Sequence, residues 1–241
     1  MHEAKWLTAE EIIAVAKQWH CGDPWSRRRL LAAMAGSIAA LVVPAPLRLL
    51  AANGCAVTPP QTEGPFYPVH DQSDKDNDLT RMNGAPGRAI GQIIQLEGSV
   101  RDATCRPIPG ATVEIWQANA NGRYNHPDDR NTRAAPDPHF QHWGLTTTDR
   151  DGRYTFKTVV PAPYPAGFFW TRPAHIHFKV RRPGSPTLTT QMYFAGDPYL
   201  TRDRIFQAIP PPARPRVVVS LEPPGPEYDA DARLCRFNLI V

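Results

Sequence analysis

The sequence predicts an all-β protein: an antiparallel β-sandwich with long loops, preceded by a helical N-terminal signal segment. After residue 90 the chain consists of short runs rich in Val, Ile, Thr and aromatic residues, the composition typical of strands. Clusters of Gly, Pro, Asn and Asp separate these runs, and the 27 prolines are spread along the chain without a repeat. The same region shows no long helical periodicity.

Seven runs are predicted to be strands. They are residues 92–101, 112–117, 153–160, 175–181, 188–194, 216–222 and 236–241. Turn residues such as Asn121-Gly122 and Asp151-Gly152 lie between them. Residues 68–90 and 125–145 are predicted to be long loops, which in a compact domain are more often functional than idle.

The length and the N-terminal pattern predict two regions: a signal region at residues 1–54 and one folded domain at 55–241. Arg27-Arg28-Arg29 precede an apolar run at 30–43, which is too short to span a bilayer comfortably. A basic start before a short apolar run is typical of a signal peptide, and paired arginines favour the twin-arginine route. We therefore expect a periplasmic or extracellular protein. An amphipathic surface helix is the alternative.

Charge and cysteine content limit the kinds of binding partner and covalent link that the chain is expected to have. The formal charge of +4 derives partly from the arginine run, so we predict no nucleic-acid partner. Cys21 lies in the signal region, and Cys55, Cys105 and Cys235 remain, so one disulfide of undetermined pairing is expected in an exported protein. Small residues before Cys55 also leave a lipid anchor open. Membrane contact is expected only through the signal or that anchor.

His175 and His177 stand two apart in a run that alternates polar and apolar residues. On a strand both imidazoles, with Lys179, would share one face, while the apolar residues between them would face the core. Two adjacent imidazoles can bind one metal ion. A pair of solvated histidines is the alternative that this pattern alone leaves open.

Four ordered motifs resemble the intradiol ring-cleavage dioxygenase family. They are Thr58–Pro68 (TPPQTEGPFYP), Gly110–Tyr124 with its Trp-Gln-Ala-Asn core, Tyr164–His177 ending in Arg-Pro-Ala-His-Ile-His, and Thr189–Phe194 (TTQMYF). The resemblance runs from about residue 58 to the C-terminus. It implies the β-sandwich fold of that family and an enzyme that opens aromatic rings.

The resemblance also implies a metal site made by Tyr124, Tyr164, His175 and His177. Phenolate is a hard anionic donor that suits trivalent iron, while imidazole accepts many metals. Two phenolates and a hydroxide would balance the three charges of Fe(III), the expected cofactor.

By the same resemblance, three further roles are expected. Tyr164 would accept a proton from the substrate, Arg172 would stabilise negative charge on the ring, and Gln191 would form hydrogen bonds near that arginine. The substrate mouth would be lined by Gly64, Pro65 and Tyr67.

The predicted activity is cleavage of catechol-type rings with O₂ to muconate-type diacids. The family often has Trp where Ala166 stands, so catechol, protocatechuate, hydroxyquinol and lignin-derived catechols all stay open as substrates. The motifs combine features of both protocatechuate dioxygenase chains, which indicates a self-sufficient subunit and is compatible with a homo-oligomer. Two alternatives are an exported non-catalytic module that binds aromatics or polysaccharide, and a copper or zinc enzyme using His-x-His.

Overall fold

A computed structural model describes residues 55–241; the signal segment predicted for residues 1–54 lies outside them. The strands are β1 Ile93–Arg101, β2 Thr112–Trp116, β3 Trp143–Thr147, β4 Arg153–Val159, β5 Tyr164–Gly167, β6 Trp170–Arg172, β7 His175–Arg181, β8 Leu188–Phe194, β9 Val218–Val219, β10 Arg233–Arg236 and β11 Leu239–Ile240. One short α-helix, α1, spans Arg204–Gln207 between 3₁₀ turns at Leu200–Arg202 and Pro211–Val217.

Two sheets form the predicted sandwich. One contains β1 with β4, β10 and β11, and the other has the order β3-β2-β7-β8-β9. Their apolar faces meet in one large core, where the Phe178 ring lies 6.2 Å from that of Tyr154 and 4.9 Å from that of Phe237. The β5–β6 hairpin forms a separate two-stranded sheet. The predicted β-sandwich is therefore confirmed for the described residues.

The sandwich is not purely antiparallel. Strand β1 pairs parallel with both β10 and β11, and β8 pairs parallel with β9. Strand β3 and the β5–β6 hairpin were not among the predicted strands, and β3 begins inside the predicted loop 125–145. Most of the predicted strand 216–222 belongs instead to the turn Pro211–Val217 and to loop, leaving only the two residues of β9.

Cys55 is disulfide-bonded to Cys105, and Cys235 is a buried free thiol. Because its sulfur is in the disulfide, Cys55 cannot also carry a lipid in this state. In residues 55–241, no helix has the length and apolarity that crossing a membrane would require.

Candidate metal centre

Strand β7 places His175 and His177 on one face, as its alternation predicted. The residues that alternate with them, Ile176 and Phe178, lie fully buried in the main core. Both imidazoles are only 2% exposed, and their ring centroids are 4.9 Å apart. These are therefore buried histidines, which removes the alternative of a solvated pair.

Tyr124 reaches the same place from the loop after β2. The side chain of Asn119 accepts hydrogen bonds from the backbone N–H groups of Asn121 and Arg123, which closes a tight turn around Gly122. The N–H of Tyr124 then donates to Asp129 Oδ2 at 2.7 Å. The phenol is buried, and its oxygen lies 3.4 Å from His175 Nε2.

Tyr164 begins strand β5 and completes the group. Its ring packs edge-on against Tyr124 with centroids 5.4 Å apart, and it lies 5.6 Å from the His175 ring. Gly122 makes this approach feasible: it adopts φ +79°, and a Cβ there would lie 2.7 Å from the Pro163 carbonyl oxygen. The four predicted ligands thus converge.

The imidazoles are held in the neutral state, in which a ring nitrogen can bind a metal. Burial lowers the pKa of both histidines well below the usual value, and the charge of Arg172 acts in the same direction. The Nδ1–H of His175 donates to the Pro173 carbonyl at 2.7 Å, which leaves the Nε2 lone pair facing Tyr124. His175 is thus a neutral, oriented donor.

Burial shifts the pKa values of the two phenols upward, whereas it shifts those of the histidines downward. Burial raises the pKa of Tyr124 well above 10, and the neighbouring Tyr164 raises it further. Burial also raises the pKa of Tyr164, although the Arg172 guanidinium opposes that effect. Two buried phenols that must ionise together require a strong cation between them. The donor set therefore fits ferric iron, whose charge would stabilise both phenolates.

Arg172 is fixed beside these donors, and Pro173 separates its strand, β6, from the strand β7 that carries the histidines. Its Nε donates to Asp203 at 2.7 Å and its Nη2 donates to Gln191 Oε1 at 2.6 Å. Arg172 is 3% exposed, and Asp203 and Gln191 are fully buried. The guanidinium is thus a preorganised positive charge at the site. Gln191 lies where it was predicted, in contact with this arginine.

The segment Thr58–Pro68, here called the strap segment, crosses over the site. Gln191 Nε2 donates to the Thr62 carbonyl at 2.8 Å, which ties the strap to β8. Gly64 adopts φ +75°, and a Cβ there would lie 3.3 Å from His177 Cε1, so glycine lets the strap pass close to a ligand.

The three residues predicted to line the substrate mouth take different places. Pro65 lines a cavity beside Tyr164, whereas Gly64 covers His177. The Tyr67 hydroxyl donates to the buried carboxylate of Glu114 at 2.9 Å. Tyr67 thus has a partner within the protein.

The cavity beside Tyr164 has a volume of about 540 Å³. Its walls come from the strap, the loop after Tyr124 and the β5–β6 hairpin, and include Phe66, Arg130, Arg133, Ala166, Gly167 and Trp170. Part of the predicted long loop 125–145 is therefore a cavity wall. Pockets of about 300–1,000 Å³ accommodate ligands well beyond a single ring.

Sequence reasoning missed several residues that support the site. Asp203 and Asp129 stand in loops, where no pattern signals their partners. Glu114 and Trp116 did have a signal, because strand alternation places both on the face of β2 away from Val113 and Ile115. A carboxylate in so apolar a strand indicates a buried partner.

The β-sandwich brings two phenols, two neutral imidazoles and a fixed guanidinium together, a donor set suited to a non-haem metal ion. The family model described as "Dioxygenase" matches residues 62–239. The chain therefore belongs to the intradiol ring-cleavage dioxygenase family.

Named relatives agree. The beta chain of protocatechuate 3,4-dioxygenase from Burkholderia cepacia is 43% identical over 137 residues, covering 55% of this chain and 57% of that protein. Catechol 1,2-dioxygenase from Acinetobacter baylyi is 35% identical over 152 residues, covering 58% and 47%. The matched region is thus about half the length of these curated relatives.

Solved structures share the fold. The dioxygenase domain of a dioxygenase carbohydrate-binding fusion from Streptomyces superposes with a TM-score of 0.55 at 29% identity, covering 77% of this chain and 98% of that one. Catechol 1,2-dioxygenase from an Acinetobacter species gives a TM-score of 0.56 at 30% identity, covering 76% and 62%.

Proposed function

We propose that this protein is a ferric intradiol dioxygenase that opens catechol-type rings between the two hydroxylated carbons, with O₂ as co-substrate and a muconate-type diacid as product. The observation that carries the proposal is the convergence of Tyr124, Tyr164, His175 and His177, all at most 6% exposed, beside the fixed cation Arg172. Family membership supports the same chemistry.

The four ligands would hold Fe(III), which when bound withdraws electron density from a coordinated catecholate and makes its ring reactive toward O₂. The histidines supply neutral nitrogen donors. Tyr164, at the cavity edge, is suited to take a substrate proton, since its own pKa is raised by burial and only the metal keeps it ionised. Arg172 stabilises negative charge as it develops on the ring, in a site from which burial excludes water.

The cavity supports a catechol that carries a ring substituent. Tyr164 lines it, and so do the small, exposed residues Ala166 and Gly167. Phe66 and Trp170 provide apolar walls, and two arginines and two aspartates also line the cavity: Arg130, Arg133, Asp128 and Asp129. A substituted catechol would therefore fit with its diol toward the ligands and its substituent toward the hairpin.

The test is oxygen uptake by purified, iron-loaded protein with a panel of catechols, with the product identified by mass. We expect one O₂ consumed per ring, both oxygen atoms in the diacid, and a visible phenolate-to-iron absorption band. A yellow semialdehyde product would show cleavage outside the diol and contradict the proposal. Absence of uptake with every catechol in a protein of full iron content would contradict it as well.

We further propose that the chain is exported by the twin-arginine route to the periplasm or beyond. The Cys55–Cys105 disulfide supports this, because such bonds persist in oxidising compartments. Replacing Arg27, Arg28 and Arg29 by lysine keeps the charge and removes the arginine motif. We expect that variant to stay in the cytoplasm on cell fractionation, and its unchanged export would contradict the route.

A further inference from the structure

The two histidine ligands are held by different means. His175 is oriented by its hydrogen bond to the Pro173 carbonyl. His177 is equally buried, yet its Nδ1 has no hydrogen-bond partner within residues 55–241. A histidine that binds a metal usually donates its other nitrogen to an acceptor, which fixes the ring plane. The His177 ring must therefore be fixed in another way.

Stacking takes the place of that hydrogen bond. The His177 ring lies flat on the Trp116 indole, with centroids 4.7 Å apart and an interplanar angle of 12°. The two residues are register partners across strands β2 and β7, and Trp116 is 1% exposed. Gly64 of the strap approaches the His177 ring as well. The plane of Trp116 thus sets the plane of His177.

Trp116 is in turn held by Tyr67. The Tyr67 ring meets the indole edge-on, with centroids 5.0 Å apart and planes at 86°. The Tyr67 hydroxyl donates to Glu114 Oε2 at 2.9 Å, and Lys179 Nζ lies 3.4 Å from the centre of its ring. Tyr67 is therefore fixed at its hydroxyl and on its face.

Glu114 is the anchor of this series. It is fully buried, accepts a hydrogen bond from Trp143 Nε1 at 3.2 Å, and forms an ion pair with Arg181. A buried carboxylate is costly even when paired, and in some proteins its role is to fix one arrangement of its neighbours. Here Glu114 contacts Tyr67, Tyr67 contacts Trp116, and Trp116 contacts His177.

We propose that Glu114, Tyr67 and Trp116 are positioning residues that orient the His177 imidazole toward the metal. The proposal rests on the proposed function, since it takes His177 to be an iron ligand. It assigns Tyr67 a role at the metal in the absence of substrate, which a residue that only lines the substrate mouth would not have.

The first test compares Tyr67→Phe with Tyr154→Phe in the ferric holoenzyme without substrate. Both changes delete one tyrosine hydroxyl that donates a hydrogen bond, and the Tyr154 hydroxyl donates to the Phe237 carbonyl at 2.6 Å, in the main core. We expect Tyr67→Phe to shift the phenolate-to-iron band and to accelerate iron release to a chelator by about tenfold, a typical effect of losing a supporting partner. Tyr154→Phe should lower only the unfolding temperature.

The second test replaces Trp116 by Phe, which keeps a ring to stack, and by Leu, which does not. We expect the iron-release rate of Trp116→Phe to lie between those of the native protein and Trp116→Leu. An unchanged band and release rate in folded Tyr67→Phe and Trp116→Phe would overturn the positioning role while leaving the proposed function standing. A native protein that binds no ferric iron would instead contradict the proposed function.

Discussion

Burial sets the protonation of all four donor side chains at the metal centre. It keeps His175 and His177 neutral and Tyr124 and Tyr164 protonated, so only a strongly charged cation can ionise the two phenols. That these four side chains lie together could be predicted from the motifs. Their tuning could not, because it depends on how deeply each side chain is buried.

The Arg172–Asp203 pair allows catalysis and stability to be separated. Arg172→Met leaves the Asp203 carboxylate buried without its partner, which we expect to cost about 3–5 kcal/mol of unfolding free energy. Adding Asp203→Asn removes that charge and keeps an acceptor for the Phe206 N–H at the start of α1.

The double variant should therefore regain most of the stability but not the turnover, which we expect to be lowered about 100-fold or more by loss of a preorganised cation. Urea unfolding and oxygen uptake measure the two properties. Recovery of both together would show that Arg172 is only structural.

His142 gives the folded protein a pH dependence. Burial lowers the pKa of His142 from 6.5 to about 4. Between these two pH values its imidazole is therefore protonated in the unfolded chain and neutral in the folded chain. His142 therefore lowers the free energy of unfolding as the pH falls from 6.5 toward 4, and its own contribution is about 2 kcal/mol between pH 7 and pH 5.

His142→Asn is the matched variant, since asparagine tolerates the φ of 64° at this position. Urea unfolding of both proteins at the two pH values should show a smaller loss in the variant. Equal losses would mean that His142 is not the group responsible.

At the scale of elements, strand alternation predicted which side chains of a strand share a face. The period of two in β7 correctly assigned His175 and His177 to one face and the apolar residues to the core. The β5–β6 hairpin gave no such signal, because Pro165 and Gly167 are poor strand formers and most of the hairpin is exposed. The parallel pairing of β1 with β10 joins segments far apart in sequence, which local patterns do not encode.

Three residues before the strap segment, the Cys55–Cys105 disulfide ties the chain to the loop between β1 and β2. The bond closes a loop of about 50 residues, so Cys55→Ser should lower the unfolding free energy by about 4 kcal/mol on chain-entropy grounds. Urea unfolding with and without a reductant measures this. Cys235→Ala is the control, because that buried thiol is free and its variant should keep its sensitivity to reductant. A native protein insensitive to reductant would contradict the expectation.

At the scale of the whole molecule, the two main sheets supply only part of the candidate site, and loops and the β5–β6 hairpin supply the rest. One strand, β7, carries two of the candidate ligands, whereas Tyr124 comes from a loop and Tyr164 from the β5–β6 hairpin. The cavity between that loop and that hairpin could not be predicted, since its size depends on how three distant segments meet. The sequence did indicate one determinant of its size, the small Ala166.

Ala166→Trp tests that determinant. Ala166 is exposed in β5 and lines the cavity, so an indole there can occupy the space without displacing the core. If the substituent of the substrate occupies this space, kcat/KM should fall about tenfold or more for catechols with bulky substituents and change little for catechol itself, since excluded groups lose the transition-state contacts they made. Catechol is the internal control, because a damaged metal centre would slow both substrates equally. An equal fall for the whole panel would place the substituent elsewhere, and an unchanged panel would show that the cavity is not used.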